Sequence, residues 1–332
     1  MYRGRERVST NVKDWLNASG RSVSTDWVRP IDWLTLPEVY DGEQKVIGLW
    51  AVYDGDSNFC AFTISGACTI DWGDGSAPEN VSDGVKANHN YVYTDLSSGT
   101  ECSRGYRQAI ITITMQVGQN LTSIDFNQRH SSSNTQYDNN WLDVNAAGTS
   151  ITYCKFGSGN NTTSRKLERF NFVGDNSISG TNFTVMFQYC SSLQTVPLFN
   201  TAAGTNFTSM FSLCYSLQTV PLFNTAAGTN FTSMFQQCYS LQTVPLFNTA
   251  AGTNFTSMFQ QCYSLQIGIL NGTKYAISYA SNRLSRLALV SIFTALGSVT
   301  GQSITVTGNW GAPSLTADDL LIATSKGWTV IN

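Results

Sequence analysis

Side chains able to do chemistry are sparse in this chain. His89 and His130 are its two histidines, and His89 follows shortly after the string Asp71-Trp72-Gly73-Asp74-Gly75, continuing into Asn90-Tyr91. Asp71 and Asp74 could act as paired acids or as calcium ligands, but the string lacks the further oxygen donors of an EF-hand loop. Turn chemistry accounts for it better: Trp72 fills a core, Gly73 and Gly75 permit positive φ, and Asp74 bonds the turn backbone. Cys190, Cys214, Cys238 and Cys262 recur every 24 residues without a histidine at matching spacing, which argues against zinc. Parallel side chains in a ladder point the same way, so they also do not converge for disulfides. Their expected role is to fill space as small buried hydrophobes.

The sequence contains no H-E-x-x-H, G-x-S-x-G, Walker A or C-x-x-C string. Between Gln194 and Leu246 there is no Asp or Glu, so a glycosidase pair of carboxylates has no source there. The expectation is a protein that is not an enzyme and carries no cofactor and no metal. Asn182, Asn206, Asn230 and Asn254 each begin an N-F-T sequon. Without a secretory route they read as an internal asparagine ladder that satisfies turn backbone groups.

Charged residues make up 12% of the 332, about half the roughly 25% usual for soluble domains. A net charge of −3 gives no basic face, so nucleic acid is not an expected partner. Met1 to Thr10 carries Arg3, Arg5 and Arg7 with no apolar region behind it, and no run of about 18 apolar residues follows. Neither signal-driven export nor membrane insertion is expected. Synthesis in a host cytoplasm, with reduced thiols, is.

The elements that position these residues are dominated by a repeat. Thr181 to Gly204, Thr205 to Gly228 and Thr229 to Gly252 share T-N-F-T-x-M-F-x-x-C-x-S-L-Q-T-V-P-L-F-N-T-A-A-G, and a fourth copy from Thr253 holds to Gln266. Leu193, Val196 and Leu198, with their copies, form an L-x-x-V-x-L strand pattern. Met186, Phe187 and Cys190, with theirs, have the spacing of one face of a short helix. One coil cannot cover its own apolar residues, so neighbours must stack around a shared core.

Between the buried strand positions lie Thr195, Pro197 and Phe199, then Thr219, Pro221 and Phe223, then Thr243, Pro245 and Phe247. Facing out, these rows would form an apolar patch of the sort that binds partners. In the competing arrangement Phe199 and its copies fold inward under the A-A-G turn.

The fold class expected is mainly β with short helices. Residues 1–45, with Trp15, Trp27 and Trp33, read as an arm that orders by docking on something larger. Residues 46–117 read as a β-sandwich, from short alternating runs split by Gly, Asp and Ser. Residues 118–280 read as a leucine-rich-repeat solenoid, its 24-residue repeats at 181–276 and degenerate coils at Leu121 to Phe126, Ile151 to Phe156 and Leu167 to Phe172. Residues 281–332 read as an α/β cap. There Ser285 to Leu296 has helical spacing, Thr316 an N-cap role, and Gly327 ends a helix before a strand from Trp328.

The W-G-D-G string, His89, Tyr91 and the strand Ile110 to Thr114 resemble a PKD-type, immunoglobulin-like domain. Met186, Phe187, Cys190 and Leu193, through Met258, Phe259, Cys262 and Leu265, resemble the BspA-type leucine-rich repeats of bacterial surface proteins and bacteriophage virion proteins. An arm, such a domain, these repeats and the Gly327 to Val330 ending together look like virion structural proteins of tailed phages, of tail-fibre or capsid-decoration type. That resemblance implies a homo-oligomer on the particle, held through the arm by other virion proteins and meeting a host surface receptor or glycan. A bacterial cell-surface adhesin is the alternative it leaves open.

Overall fold

A computed structural model describes residues 27–55, 58–132, 140–157, 166–174 and 179–332. The expected arm up to residue 26, with Trp15, lies outside them. Among the described residues the protein is mainly β, with 31% strand, 9% helix and two α-helices.

The N-terminal half consists of two sheets. In the larger, the order is β4 (Glu79–Val81), β3 (Cys68–Asp71), β6 (Tyr106–Met115), β1 (Lys45–Tyr53), β8 (Trp141–Ala147) and β10 (Arg169–Val173). The smaller runs β5 (Lys86–Tyr91), β2 (Asn58–Ser65), β7 (Ser123–Asp125) and β9 (Tyr153–Lys155). Alternating residues from both sheets meet in one interior, where the Phe62 ring lies 5.5 Å from Trp72 and 6.0 Å from Trp141.

The expected boundary at residue 117 does not separate two bodies. Strands β7, β9 and β10, which lie in the segments read from sequence as degenerate coils, join β8 in completing both sheets: β9 pairs parallel with β7, and β10 with β8. The larger sheet then runs on into the repeats, because Arg169 bridges Thr195 in parallel. Further along, Thr219 bridges Thr243, and β11 (Thr243–Asn248) pairs with β12 (Ile267–Asn271). The smaller sheet continues likewise: Phe156 N donates to Met186 O at 2.8 Å, and Phe187 N to Met210 O at 2.9 Å. Two sheets thus become the two walls of a coil stack, and one buried cluster extends from Val46 to Trp328. Leu121 to Phe126 and Ile151 to Phe156 lie on the wall opposite Leu167 to Phe172, although their sequence patterns look alike.

The expected short helix on each coil is absent among the described residues of the repeats. The N–H groups of Phe207, Ser209, Phe211 and Leu213 donate to Asn230, Thr232, Met234 and Gln236 of the next coil. Those of Met210, Ser212 and Cys214 donate three residues back within their own coil. An α-helix would keep every such bond internal. Splitting them satisfies the backbone and ties coil to coil, at the expense of left-handed φ at Ser209 (53°) and Leu213 (66°). A helix also advances only 1.5 Å per residue, against about 3.3 Å for a strand, so a helical wall needs more residues to match the strand wall. Helices occur where coils lengthen: Ile277 pairs with Ile304, and Ile304 with Val330.

The strand wall carries a second correction. Strict alternation buries Val196 and Leu198, but Leu198, Leu222 and Leu246 are exposed, while Phe199, Phe223 and Phe247 are buried. Proline has no N–H to give the ladder. At Pro245 the pairing of β11 with β12 slips, resuming only at Phe247. The slip changes the phase of the side chains, so Val244 and Phe247 both point inward.

Aromatic rings from equivalent positions stack along the interior. Phe183, Phe207, Phe231 and Phe255 lie 5.4 Å apart in sequence, and Phe187, Phe211, Phe235 and Phe259 at 5.5, 5.7 and 5.8 Å. The repeat glycine lets the rings approach: a Cβ on Gly228 would lie 2.4 Å from the Phe231 ring.

The cap agrees closely with expectation. Ser285 accepts from Ala288 N ahead of α1 (Arg286–Ala295), and Thr316 and Asp319 form a capping box ahead of α2 (Ala317–Thr324). Arg286 grips Asp319 through two bonds of 2.7 and 2.9 Å, joining the helices. Strands β13 (Ile277–Ser278), β14 (Gln302–Thr305) and β15 (Trp328–Ile331) form a parallel sheet, so the cap starts slightly before residue 281. Tyr279 stacks on Phe259 at 4.9 Å and ends the aromatic column.

Candidate interaction surface

The W-G-D-G cluster uses its chemistry internally. Asp71 Oδ1 accepts from Gly73 N, while Asp74 Oδ1 accepts from Ser76 N at 3.0 Å and Ser76 Oγ at 2.6 Å. The other Asp74 oxygen lies 2.7 Å from His89 Nε2, and the His89 ring stacks on Trp72 at 4.6 Å. Tyr91 OH donates to Trp72 O. Gly73 has a φ of 73°, and a Cβ there would sit 2.3 Å from Ile110 O. Burial pushes the Asp74 carboxyl up, but the Ser76 hydrogen bonds and the adjacent His89 outweigh it and hold the group below its ordinary value. The arrangement is a clasp between a turn and β5.

A second charged cluster lies on the outer face of the larger sheet, where Trp27, Trp33, Leu34 and Leu36 pack over Leu49, Ala51, Cys102, Tyr106 and Leu142. Asp143 is fully buried and meets Arg29 at 3.0 Å and Arg169 at 2.9 Å. Glu168 accepts from Arg104, Trp27 Nε1 and Gln194. These carboxylates are occupied by their partners and fasten residues 27–36 to the sheet. That stretch of the expected arm therefore docks on its own chain.

The repeat thiols are more than fillers. Cys214, Cys238 and Cys262 donate from Sγ to the carbonyls of Phe187, Phe211 and Phe235 at 3.1, 3.0 and 2.9 Å, one coil back. Burial drives Cys214 and Cys238 well above the usual thiol range and Cys262 up to about 12. All eight cysteines are buried thiols, none in a disulfide. Because the thiolate is the reactive species, native protein is expected to resist maleimide labelling and to take up eight equivalents once denatured. Rapid labelling of any repeat thiol in the folded state would contradict this arrangement.

The rows expected to bind are rearranged. Thr195, Thr219, Thr243, Pro197, Pro221 and Pro245 are half-buried, and the phenylalanines of the rows lie inside. In their place stand Leu198, Leu222 and Leu246, exposed by 64%, 59% and 43%. Of the N-F-T asparagines, Asn182 and Asn254 are exposed and Asn206 and Asn230 half-buried, and their backbones bridge each coil to the next. Asn206 and Asn230 each accept from the N–H and hydroxyl of the threonine two residues on, while Asn182 and Asn254 accept the N–H.

Sequence reasoning missed a further column. Tyr215, Tyr239 and Tyr263 follow the repeat cysteines, are exposed, and stack at 4.9 and 5.6 Å with rings within 12° of parallel. Burial, then the neighbouring phenols of Tyr239 and Tyr189, raises the Tyr215 hydroxyl above its ordinary range. Their recurrence at a fixed place beside each cysteine was the available signal. Nor does any Asp, Glu, Lys, Arg or His occur from Asn176 to Thr273. Among the described residues no cluster of His, Cys, Asp or Glu could hold a metal ion, and no helix is long and apolar enough to cross a membrane.

The class thus defined is a mainly β protein whose second half is a stack of coils bearing regular, uncharged columns of side chains. Residues 165–273 match the model of a family described as "Mycoplasma protein of unknown function, DUF285". No curated protein and no solved structure matches the chain.

Proposed function

We propose that the chain is a non-enzymatic structural and binding component of a bacteriophage particle. Its N-terminal region contacts other virion proteins, and its repeats present a surface to a protein or a host. In this reading the two-sheet half is PKD-like, and the coils form a leucine-rich-repeat solenoid of BspA type. The observation that carries it is the stack of near-identical, uncharged coils, which sets the same outward side chain at the same place on successive turns, as in the column Tyr215, Tyr239 and Tyr263. Equal weak contacts held on one rigid support add by multivalency, which suits display better than turnover. Intact particles purified by density gradient should contain the chain in fixed ratio to the major virion proteins. Its loss from every particle preparation would defeat the reading.

The alternative, a bacterial cell-surface adhesin, draws support from the description of the family matched by residues 165–273, which names a bacterium. Protease shaving of intact cells that releases the chain, with no particle carrying it, would favour that alternative.

A further inference from the structure

Comparing the repeat copies with one another locates a different edge of the coils. From Thr181 to Gln266 the four copies differ at just four places. One is Val185, where the others have serine; the remaining three surround the cysteine, two residues before it, one before it and one after it. At the last of these the chain reads Ser191, then Tyr215, Tyr239 and Tyr263. Invariance elsewhere follows from burial, turn hydrogen bonds and the Pro-Leu step. The variation gathers on the edge that carries the tyrosine column.

The chemistry of that edge is narrow. Stacked at 4.9 and 5.6 Å, the tyrosine rings cover one another's faces and stay 37%, 37% and 46% exposed on three successive coils. Two residues ahead of Cys238 and Cys262, Gln236 Nε2 donates to Gln260 Oε1 at 2.7 Å, an amide pair that joins two coils. Both rows are neutral and able to donate and accept. An anionic or cationic polymer would find no counter-charge between Asn176 and Thr273. The strip is one side chain wide, and its outer members are about 10 Å apart at the usual strand spacing. That falls far short of the roughly 800 Å² per partner of a standard protein interface. Rings already held by stacking lose little freedom when they bind.

We propose that the tyrosine edge, rather than the Pro-Leu face, receives the ligand, and that the ligand is an uncharged polysaccharide chain lying along the stack. This rests on the reading of the repeats as a binding surface. The test is affinity electrophoresis of the full chain in gels containing dextran, mannan or laminarin, with the anionic polymer alginate as comparison. At least one neutral polymer should retard the protein, and alginate should not. The variant Y215F/Y239F/Y263F keeps the stack and removes the hydroxyls, so its affinity should fall at least tenfold, with an unchanged far-ultraviolet spectrum. The variant L198S/L222S/L246S should bind as the parent does. No retardation by any of the three neutral polymers, retardation by alginate, or loss of binding in the leucine variant but not the tyrosine variant would overturn the proposal. A chain that co-purifies with particles yet is not retarded fails this inference and keeps the proposed role. A chain retarded in the gel but absent from particles does the reverse.

Discussion

Replacing Phe235 with alanine is expected to lower the unfolding free energy by about 3–5 kcal/mol, read by urea denaturation. Its ring is fully buried and stacked between Phe211 at 5.7 Å and Phe259 at 5.8 Å. The neighbouring rings are held by backbone ladders between coils, with Phe235 N donating to Met258 O at 3.0 Å. The site therefore collapses poorly around the cavity, and both transfer and cavity terms are felt. Leu222→Ala is the matched control, since its side chain is 59% exposed. It should change stability by no more than about 0.5 kcal/mol. Because buried residues from both halves belong to one cluster, the Phe235 loss should move the unfolding of the N-terminal two-sheet half, read by its tryptophan fluorescence, as well as the coils. Equal effects at Phe235 and Leu222, or a Phe235 loss below about 1 kcal/mol, would contradict the buried column.

The second large effect concerns Asp143. Replacing both Arg29 and Arg169 with methionine leaves a fully buried carboxylate without its two cations. Stranding a buried charge usually costs about 3–5 kcal/mol. The arginines remain 27% and 28% exposed, so solvent already screens part of the pairing, and the lower end of that range is expected. Adding Asp143→Leu to the double variant should recover most of the loss, because a well-packed apolar group tolerates the site better than an unpaired ion. Limited proteolysis provides a second readout. Arg29 also donates to the carbonyls of Trp33 and Leu34, so the double variant should be cut near residues 27–36 faster than the parent. A triple variant as unstable as the double would show that the charge is not what holds this segment.

Local signals were legible wherever one short segment carried the whole instruction. The cap is the clearest case: Ser285, Thr316 with Asp319, and Gly327 start and stop their helices by bonds within a few residues. The W-G-D-G turn was legible for the same reason, and so was the period of the repeat. The phase of the strand wall was not, because Val244, Leu246 and Phe247 suit either orientation. The slip that chooses one arises where Pro245 meets its partner strand. The absent helices were likewise hidden. Met-Phe-x-x-Cys spacing suits a helix face, yet half of the N–H groups concerned bond a residue in the following coil.

The order of residues by itself determined that equivalent side chains recur every 24 positions, that thiols and rings recur with them, and that a capped end follows. Tertiary structure decided which of those columns face water, that the two N-terminal sheets flow into the coil walls, and that residues 27–36 close on their own sheet. The physical reason is that each of these outcomes rests on hydrogen bonds and ion pairs between segments distant along the chain. Their partners are chosen by geometry that no single stretch of sequence contains.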